Sequence, residues 1–420
     1  MPTDKPRVVV TGMGAVTNLG HNAAATWAKM RDGTSGISMI EDDGFDFDNP
    51  AWVVRIAGQV KGWDPTDFID ARECKRLDRS SHLGIAAAIQ AVENAGIDFG
   101  KEDTERCGVC IGSGIGGIET IEQGTRTLIN RGPHRISPHT VPRLMVNAIT
   151  GNVSIKYGLQ GPASAHATAC ASSGHAVADG FLHIRDRRAD VMIVGGAEAA
   201  VTPLCIGAFM TMKALSNRND EPTKASRPFD ADRDGFVLAE GAAMYVIESE
   251  EHAKARGAEI LCELVSFGNS SDALHITAPD AEGRGAARSM KWALESAGLN
   301  TDQIDYINAH GTSTPLGDRA EVAAVKSIFG EHSKSGLMMS STKSMHGHSL
   351  GASGAIEMIA CIHAVRDGIA PPTINLDNPD EGMDIDLVPN EARQKPIRYT
   401  MNNTFGFGGH NMTLIVGRYE

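Results

Sequence analysis

Two short stretches, AVENAGI at 91–97 and ALESAGL at 293–299, are near copies of one another and decide the fold. Each ends a segment whose apolar residues recur with helical spacing, and each places a glycine where helices commonly terminate. An apolar stretch with the character of a strand follows in both places, at 107–111 and at 304–308. The chain is therefore predicted to contain one arrangement of helix and strand twice.

Two further pairs of segments support a duplication. CASSGHAVADG (170–180) resembles HSLGASGAIEM (348–358), and GFVLAEGAAMYVIES (235–249) resembles FGFGGHNMTLIVGR (405–418). A boundary near 255 separates a first half, 1–255, from a second half, 256–420; the first half carries loop and cap insertions at 30–80, 115–160 and 200–235. Alternating strands and helices predict an α/β fold of two βαβα-type halves with mostly parallel sheets, stacked as α-β-α-β-α layers.

Composition narrows the class of protein. The 420 residues carry a net charge of −13, which disfavours non-specific binding to nucleic acid. No apolar run reaches the ~20 residues of a membrane helix, and the start MPTDKPRVVVTGMG lacks the apolar core of a signal peptide, so we expect a cytoplasmic protein without a membrane anchor. The seven scattered cysteines indicate free thiols, and Cys107 and Cys110 fall on opposite faces of one strand as core residues.

The stretch GSGIGG (112–117) follows a strand and matches a dinucleotide-binding pattern. A second strand ending in an acidic residue should follow about 20 residues later, and GPHRISPHT stands there instead. We interpret these glycines as a tight turn in which backbones approach closely.

Three residues that can carry chemistry lie at junctions between strand and helix: Cys170, His310 and His348. Such junctions gather ligand sites in α/β folds. Lys343 adds a cation nearby, and Glu357 can neutralise it. Three interpretations remain: a zinc site, a cysteine hydrolase, or an acyl-transfer enzyme in which two histidines act on a second acyl group. The number of residues available favours the last.

Four motifs, TACASSGHAV, NAHGTSTPLGDRAE, STKSMHGHSLGASGAIE and NNTFGFGGHN, resemble in order and spacing those of β-ketoacyl-acyl carrier protein synthases, most closely the synthase II type. The similarity runs from VVVTGMGAVTNLG to the last strand. It implies a duplicated thiolase fold and a decarboxylating Claisen condensation. An acyl chain moves to cysteine, and a malonyl thioester loses CO₂ and attacks it.

The resemblance implies a role for each matching residue. Cys170, at a helix start that favours a thiolate, is the nucleophile. His310 and His348 hold the oxygen of the second thioester, Lys343 supports them electrostatically, and the backbone N–H of Phe407 completes the oxyanion hole with that of Cys170. Substrate-binding residues are Thr312 and Thr314 for the phosphopantetheine arm, Thr277 at the tunnel mouth, Phe405 with Phe407 as the gate, and Ile115 at the floor of the acyl pocket.

The same resemblance implies partners. An acidic acyl carrier protein would dock on a local basic surface formed by Lys75, Arg76, Arg135 and Lys213. A homodimer is expected, with strand 190–198 pairing across the two-fold axis. The phosphopantetheine arm arrives on the carrier protein, so no resident cofactor and no metal are expected.

Several residues depart from the family pattern. His139 and Thr140 replace aromatic residues that line the pocket of the partner subunit, His346 and His410 stand where threonine is common, and Gly174 replaces a larger residue. These changes leave chain length undetermined and keep a ketosynthase of a specialised lipid or polyketide pathway as an alternative. A zinc-dependent hydrolase and a non-catalytic partner subunit are remoter alternatives. Thiolase is disfavoured because its second-half cysteine is missing.

Overall fold

The computed structural model describes residues 5–41 and 44–420. Its strands are β1 (Val8–Thr17), β2 (Ser38–Met39), β3 (Ile56–Ala57), β4 (Cys107–Gly112), β5 (Ala163–His166), β6 (Val191–Glu198), β7 (Gly241–Ser249), β8 (Cys262–Ser271), β9 (Tyr306–Asn308), β10 (Met338–Ser340), β11 (Ile369–Ala370), β12 (Arg393–Gln394), β13 (Tyr399–Gly406) and β14 (His410–Gly417). Its helices are α1 (Ala23–Arg31), α2 (Ala71–Cys74), α3 (Arg79–Ala95), α4 (Ile118–Arg131), α5 (Thr140–Leu144), α6 (Ala148–Tyr157), α7 (Ser172–Arg185), α8 (Pro203–Thr211), α9 (Glu250–Ala255), α10 (Arg284–Ala297), α11 (Pro315–Phe329), α12 (His332–Ser335), α13 (Lys343–His346) and α14 (Ser353–Asp367).

The duplication read from the repeats is present in the strand order. The first half runs β1-β7-β6-β4-β5 and the second half runs β8-β14-β13-β9-β10, so that each strand has a counterpart at the same place. The repeats AVENAGI and ALESAGL end α3 and α10, where Gly96 and Gly298 adopt left-handed φ values of 61° and 67°. A side chain would be strained in that conformation, which is why glycine terminates both helices.

The two halves meet through their first strands. Residues 8–10 of β1 pair with residues 262–264 of β8, and these antiparallel hydrogen bonds join the two five-stranded sheets at one edge. The expectation of mostly parallel sheets is wrong. Of the nine neighbouring strand pairs in the described part of the large sheet, four are parallel and five antiparallel. The long strands β7 and β14 each return antiparallel to both neighbours.

Helices cover the sheets in the expected layers. Helices α7 and α14 contact strands of both halves and form the central layer, while α3 packs on β1, β7 and β6, and α10 packs on β8 and β14. The central position of α7 and α14 brings their N-termini close together. Both helices begin directly after a single 3-10 turn, at Ala169–Ala171 and at Leu350–Ala352, and these two turns contact each other.

Cys107 and Cys110 are buried on opposite faces of β4 in two different parts of the core, as predicted. Strand β6 lies between β4 and β7, so it has no open edge. The expectation that it pairs across a two-fold axis is therefore wrong, and the edge strand of the first half is β5. The boundary near 255 falls at the end of α9 and stays a prediction. Among the described residues, no helix combines the length and apolar character needed to cross a bilayer.

Candidate active site

The start of α7 and the segment before α14 place a thiol against an imidazole. The Sγ atom of Cys170 lies 3.0 Å from Nε2 of His348, and Nδ1 of His348 lies 2.9 Å from the hydroxyl of Ser353. The ring of His310 stands nearly perpendicular to that of His348, with centroids 5.4 Å apart. The structure thus brings together the cysteine and the two histidines that the sequence separates by up to 178 residues.

Backbone strain surrounds this contact. Ala169, immediately before Cys170, has a φ of 51°, and Leu350, two residues after His348, has a φ of 43°. A left-handed conformation at a non-glycine residue costs on the order of 1–3 kcal/mol and persists where the surroundings enforce it. The two strained residues open equivalent turns in the two halves.

Opposing effects act on the charge state of Cys170. Burial raises the pKa of the thiol to about 12, although Lys343 and the backbone N–H of Phe407 act in the opposite direction. The expectation of a thiolate favoured by the helix start stays a prediction, and the removal of the thiol from water acts against it. Attack requires the thiolate, and Nε2 of His348 lies at the distance needed to accept the proton of the thiol.

The histidines are neutral. Burial, and then the positive charge of Lys343, hold the pKa of both His310 and His348 well below the usual value. A neutral imidazole carries one N–H, so each ring can donate a single hydrogen bond to an oxygen on which charge develops. Nδ1 of His310 has no hydrogen-bond partner among the described residues.

Lys343 lies behind the histidines as an almost fully buried cation. Its ammonium group forms an ion pair with Glu357, as the sequence indicated. Burial raises the pKa of Glu357 to about 7, against the effect of the lysine. The ammonium group of Lys343 adds to the effect of burial in keeping both histidines neutral.

The turn after β13 approaches the nucleophile closely. A Cβ atom at Gly406 would lie 2.8 Å from the carbonyl oxygen of Thr168 and 3.0 Å from the amide nitrogen of Cys170. Glycine is required there for the backbone of 406–407 to reach the thiol. The backbone N–H of Phe407 interacts with the sulfur of Cys170, and its role in an oxyanion hole with the N–H of Cys170 stays a prediction.

One cavity of about 550 Å³ connects these groups. It is lined by most of the residues that the sequence assigned to catalysis, substrate and docking: Cys170, His310, His348, Phe407, Thr312, Thr314, Thr277, Phe405, Ile115 and Lys213. The hydroxyls of Thr312 and Thr314 are 2.9 Å apart, and the ring of Phe405 lies 5.7 Å from that of His310. Their roles in binding remain predictions.

The remaining docking residues lie outside this cavity lining. Lys75, Arg76 and Arg135 are exposed, and only Lys213 of the four predicted docking residues lies at the cavity among the described residues. His139 is exposed as well, just before α5. A single basic surface at the tunnel mouth therefore stays a prediction.

Three polar residues that form hydrogen bonds to the segments around the active site were not predicted from the sequence. Glu198, fully buried at the end of β6, accepts hydrogen bonds from the backbone of Gly114, Ile115 and Gly351. Glu321 accepts from the backbone N–H groups of His310 and Gly311, and Ser353 contacts His348. The one sequence signal for Glu198 was a carboxylate ending an otherwise apolar strand.

The geometry alone leaves the metal alternative open. The donor atoms of Cys170, His310 and His348 all lie within 4.8 Å of one another, as the ligands of a zinc ion could. What separates zinc chemistry from acyl transfer is the identity of the surrounding motifs.

Comparison with known proteins decides between zinc chemistry and acyl transfer. Residues 5–253 match the N-terminal domain model of beta-ketoacyl synthases, and residues 261–377 match the C-terminal domain model. A 3-oxoacyl-[acyl-carrier-protein] synthase 2 from Vibrio cholerae is 49% identical over 415 residues, which cover 99% of both chains.

Similar solved structures point to the same family. A beta-ketoacyl synthase from Burkholderia phymatum is 36% identical with a TM-score of 0.89, covering 99% of this chain and 100% of the other. A ketosynthase described in complex with the acyl-carrier protein of a type II polyketide synthase is 32% identical, with a TM-score of 0.91 and the same coverage. The chain belongs to the beta-ketoacyl synthase family.

Proposed function

We propose that this enzyme elongates fatty acids by condensing an acyl thioester with malonyl-acyl carrier protein to give 3-oxoacyl-acyl carrier protein. The observation that carries the proposal is the 3.0 Å contact between the thiol of Cys170 and His348, with His310 beside it in one buried cavity. Full-length similarity to a 3-oxoacyl-[acyl-carrier-protein] synthase 2 supports the substrate class.

In the first half-reaction the sulfur of Cys170 attacks the acyl carbonyl carbon while its proton passes to Nε2 of His348. The backbone N–H groups of Cys170 and Phe407 stabilise the oxyanion. The bond from carbon to the carrier thiol then breaks, and the proton on His348 passes to the departing sulfur. The acyl chain is left as a thioester on Cys170.

In the second half-reaction the malonyl carboxylate leaves as CO₂, and its bonding electrons form the enolate of the second thioester. N–H groups of His310 and His348 stabilise the enolate oxygen. The carbanion attacks the acyl carbon on Cys170, and the bond to sulfur breaks to release the 3-oxo product. The sulfur leaves as a thiolate, and a proton taken up from solvent restores the thiol. No external base is needed for the carbon–carbon bond.

His348 must accept a proton at Nε2 in the first half-reaction and donate one from Nε2 in the second. The hydroxyl of Ser353 can either donate to or accept from Nδ1, so both tautomers of the neutral ring have a partner. This property allows one histidine to serve both steps.

Acyl carrier protein as the carrier and a homodimer as the working form belong to the same proposal. The structure of a related ketosynthase in complex with an acyl-carrier protein supports the first. For the second, edge strand β5 pairs only with β4 among the described residues, and edge strands invite pairing with another chain. Light scattering is expected to give twice the chain mass; a stable, active monomer would contradict it.

The similarity to the type II polyketide ketosynthase favours one alternative, a specialised polyketide or lipid pathway. Both candidates use the same chemistry and differ in products. Incubation with malonyl donors and a short acyl donor separates them, because a fatty-acid enzyme releases the product after one condensation for reduction, whereas a polyketide enzyme extends it repeatedly.

The central test of the proposal is acylation of Cys170. Incubation with an acyl-carrier-protein donor, without malonyl donor, should add one acyl mass to the peptide that contains Cys170. Cys170→Ala should abolish this label and reduce condensation by at least ~10³-fold, because the covalent step is lost. Cys205→Ala, which removes another buried thiol, is the control. Label on another cysteine, or none with any donor, would contradict the mechanism.

A further inference from the structure

A second group of chemically active side chains lies on one face of the edge of the first-half sheet. Cys110 on β4 pairs in register with Ser164 on β5, and His166 lies two residues further along β5 on the same face. Asp179 and His183, four residues apart, project from one side of α7 toward these strands. Neither the motifs of the family resemblance nor the proposed reaction uses any of these residues.

Distances within this cluster are short. The carboxylate of Asp179 lies 3.5 Å from Sγ of Cys110 and 3.6 Å from Nε2 of His183. The donor atoms of these three residues all lie within 4.8 Å of one another. Nε2 of His166 is 3.0 Å from the same carboxylate, and the hydroxyl of Ser164 is 2.8 Å from it.

We propose that Cys110, Asp179 and His183 form a binding site for a zinc-like divalent transition metal. Thiolate, imidazole and carboxylate are together the donor set that Zn²⁺ prefers, and three protein ligands leave one tetrahedral position for water. His166 and Ser164 hydrogen-bond to the ligating carboxylate and orient it, as outer partners do in metal sites. This departs from the expectation, made from the sequence, that the protein holds no metal.

Burial of the cluster suits a bound metal ion that enters from solvent. The thiol of Cys110 is fully buried, whereas the side chains of Asp179 and His183 keep 30% and 18% of their surface exposed. An ion can therefore enter from solvent and reach a thiol in the core. Asp179 comes seven residues after the start of α7, about 10 Å along its axis from the end that carries Cys170, so the site is separate from the catalytic one.

The bound ion would connect α7 directly to β4, and β5 would be linked to it through the hydrogen bonds of Ser164 and His166 to the ligating Asp179. Strand β5 is short and pairs on one side only among the described residues, so its hydrogen bonds to Asp179 are among the contacts that hold it against α7. The metal would therefore fix the edge at which the second subunit is proposed to bind. The inference itself does not depend on the proposed function.

Cobalt provides the probe, because a thiolate bound to Co²⁺ gives a charge-transfer band in the near ultraviolet. The full-length enzyme, freed of metal by dialysis against a chelator, should bind one Co²⁺ per chain with this band, and Zn²⁺ should displace it. Zn²⁺ should also raise the melting temperature. Cys110→Ser should lose the band, and His183→Gln, at a partly exposed position, should weaken binding at least tenfold.

Two control variants locate the ion. Cys107→Ser removes a buried thiol on the opposite face of β4 and should leave the band intact. Cys170→Ser tests the other trio whose donor atoms could hold a metal, and it should also leave the band intact. Absence of the band in the wild-type enzyme, or its loss in Cys170→Ser and not in Cys110→Ser, would overturn the proposal.

Discussion

The starts of α7 and α14 have the same backbone structure, but one presents a thiol and the other makes a backbone contact. In both, a residue in the left-handed conformation, Ala169 or Leu350, opens a 3-10 turn that runs into a helix of the central layer. The residue that follows is Cys170 in the first half and Gly351 in the second. Duplication thus supplied two equivalent turns, and one residue in each determines what the turn does.

The space around the two positions explains the difference. A Cβ atom at Gly351 would lie 2.2 Å from the amide nitrogen of Gly114, so no side chain fits there. The N–H of Gly351 instead donates to Glu198 at 3.1 Å, which ties the second-half turn to the first-half loop 113–115. The second half therefore contributes His348, three residues earlier, while the first half presents the thiol.

The largest expected effect is on reaction rates and distinguishes the roles of His310 and His348. His310→Ala should reduce malonyl decarboxylation by ~10²–10³-fold and leave acylation of Cys170 nearly unchanged, because His310 only donates to the enolate. His348→Ala should impair both half-reactions, since Nε2 contacts the thiol. Single-turnover acylation and CO₂ release measure the two steps.

The control for these variants is His410→Ala, which removes an imidazole that is not among the cavity-lining residues described. It should leave both half-reactions near the wild-type rates. If His348→Ala acylates as fast as His310→Ala, then the proton transfer to His348 is wrong and the two histidines are equivalent.

A smaller effect tests the steric account of the second-half turn. Gly351→Ala should lower the free energy of unfolding by about 1–3 kcal/mol, as overpacking of a closely packed region does. Gly151→Ala is the matched control, because a Cβ atom on that helical glycine would meet no surrounding atom within 4 Å and alanine favours helix. Urea denaturation compares them; equal stability of the two variants would show that the turn relaxes freely.

The first-half loop bound by Glu198 is also expected to limit chain length. Ile115 donates its N–H to Glu198 and lines the cavity beside Cys170. Each buried methylene contributes roughly 0.8 kcal/mol, about a fourfold preference per carbon, until the pocket ends. Ile115→Phe should therefore move the cutoff to shorter acyl donors, measured as Cys170 acylation rates across a saturated series. Ile129→Phe on the exposed side of α4 should leave the series unchanged; an unchanged series in Ile115→Phe would place the chain elsewhere.

Features of the fold that depend on a few neighbouring residues were predicted correctly from the sequence. Glycine after a helix and small residues at the start of α7 and α14 are signals that act within a few residues, so the repeats identified the duplication. Junctions between strand and helix, together with the family motifs, pointed to Cys170, His310 and His348. Strand direction was missed because β7 returns to β1 only after more than 220 residues, and nothing in a strand's own pattern records its neighbour's direction. The burial of Cys170 was missed for the same reason, since it depends on segments far away in the chain.

The polar contacts that support the active site, and the cluster around Cys110, could not be predicted from the sequence either. Glu198 joins residues 114 and 351, and the cluster around Cys110 combines two strands and a helix, so neither forms a motif. Ser353 was read only as one small residue among others at a helix start. Its hydroxyl matters because the fold turns Nδ1 of His348 toward it.

The smallest expected effect concerns that hydroxyl. Ser353→Ala leaves Nδ1 of His348 without its partner, and a net hydrogen bond is worth about 1 kcal/mol, so each half-reaction should slow about fivefold. Ser349→Ala is the matched control, because Ser349 is equally buried next to His348 but its hydroxyl has no hydrogen-bond partner among the described residues. Nitrogen-15 NMR of the His348 ring should show that the proton is redistributed between Nδ1 and Nε2 in Ser353→Ala and unchanged in Ser349→Ala, which a purely structural role would not produce. Equal rates and equal ring shifts in the two variants would mean that the α14 start positions His348 through its backbone alone.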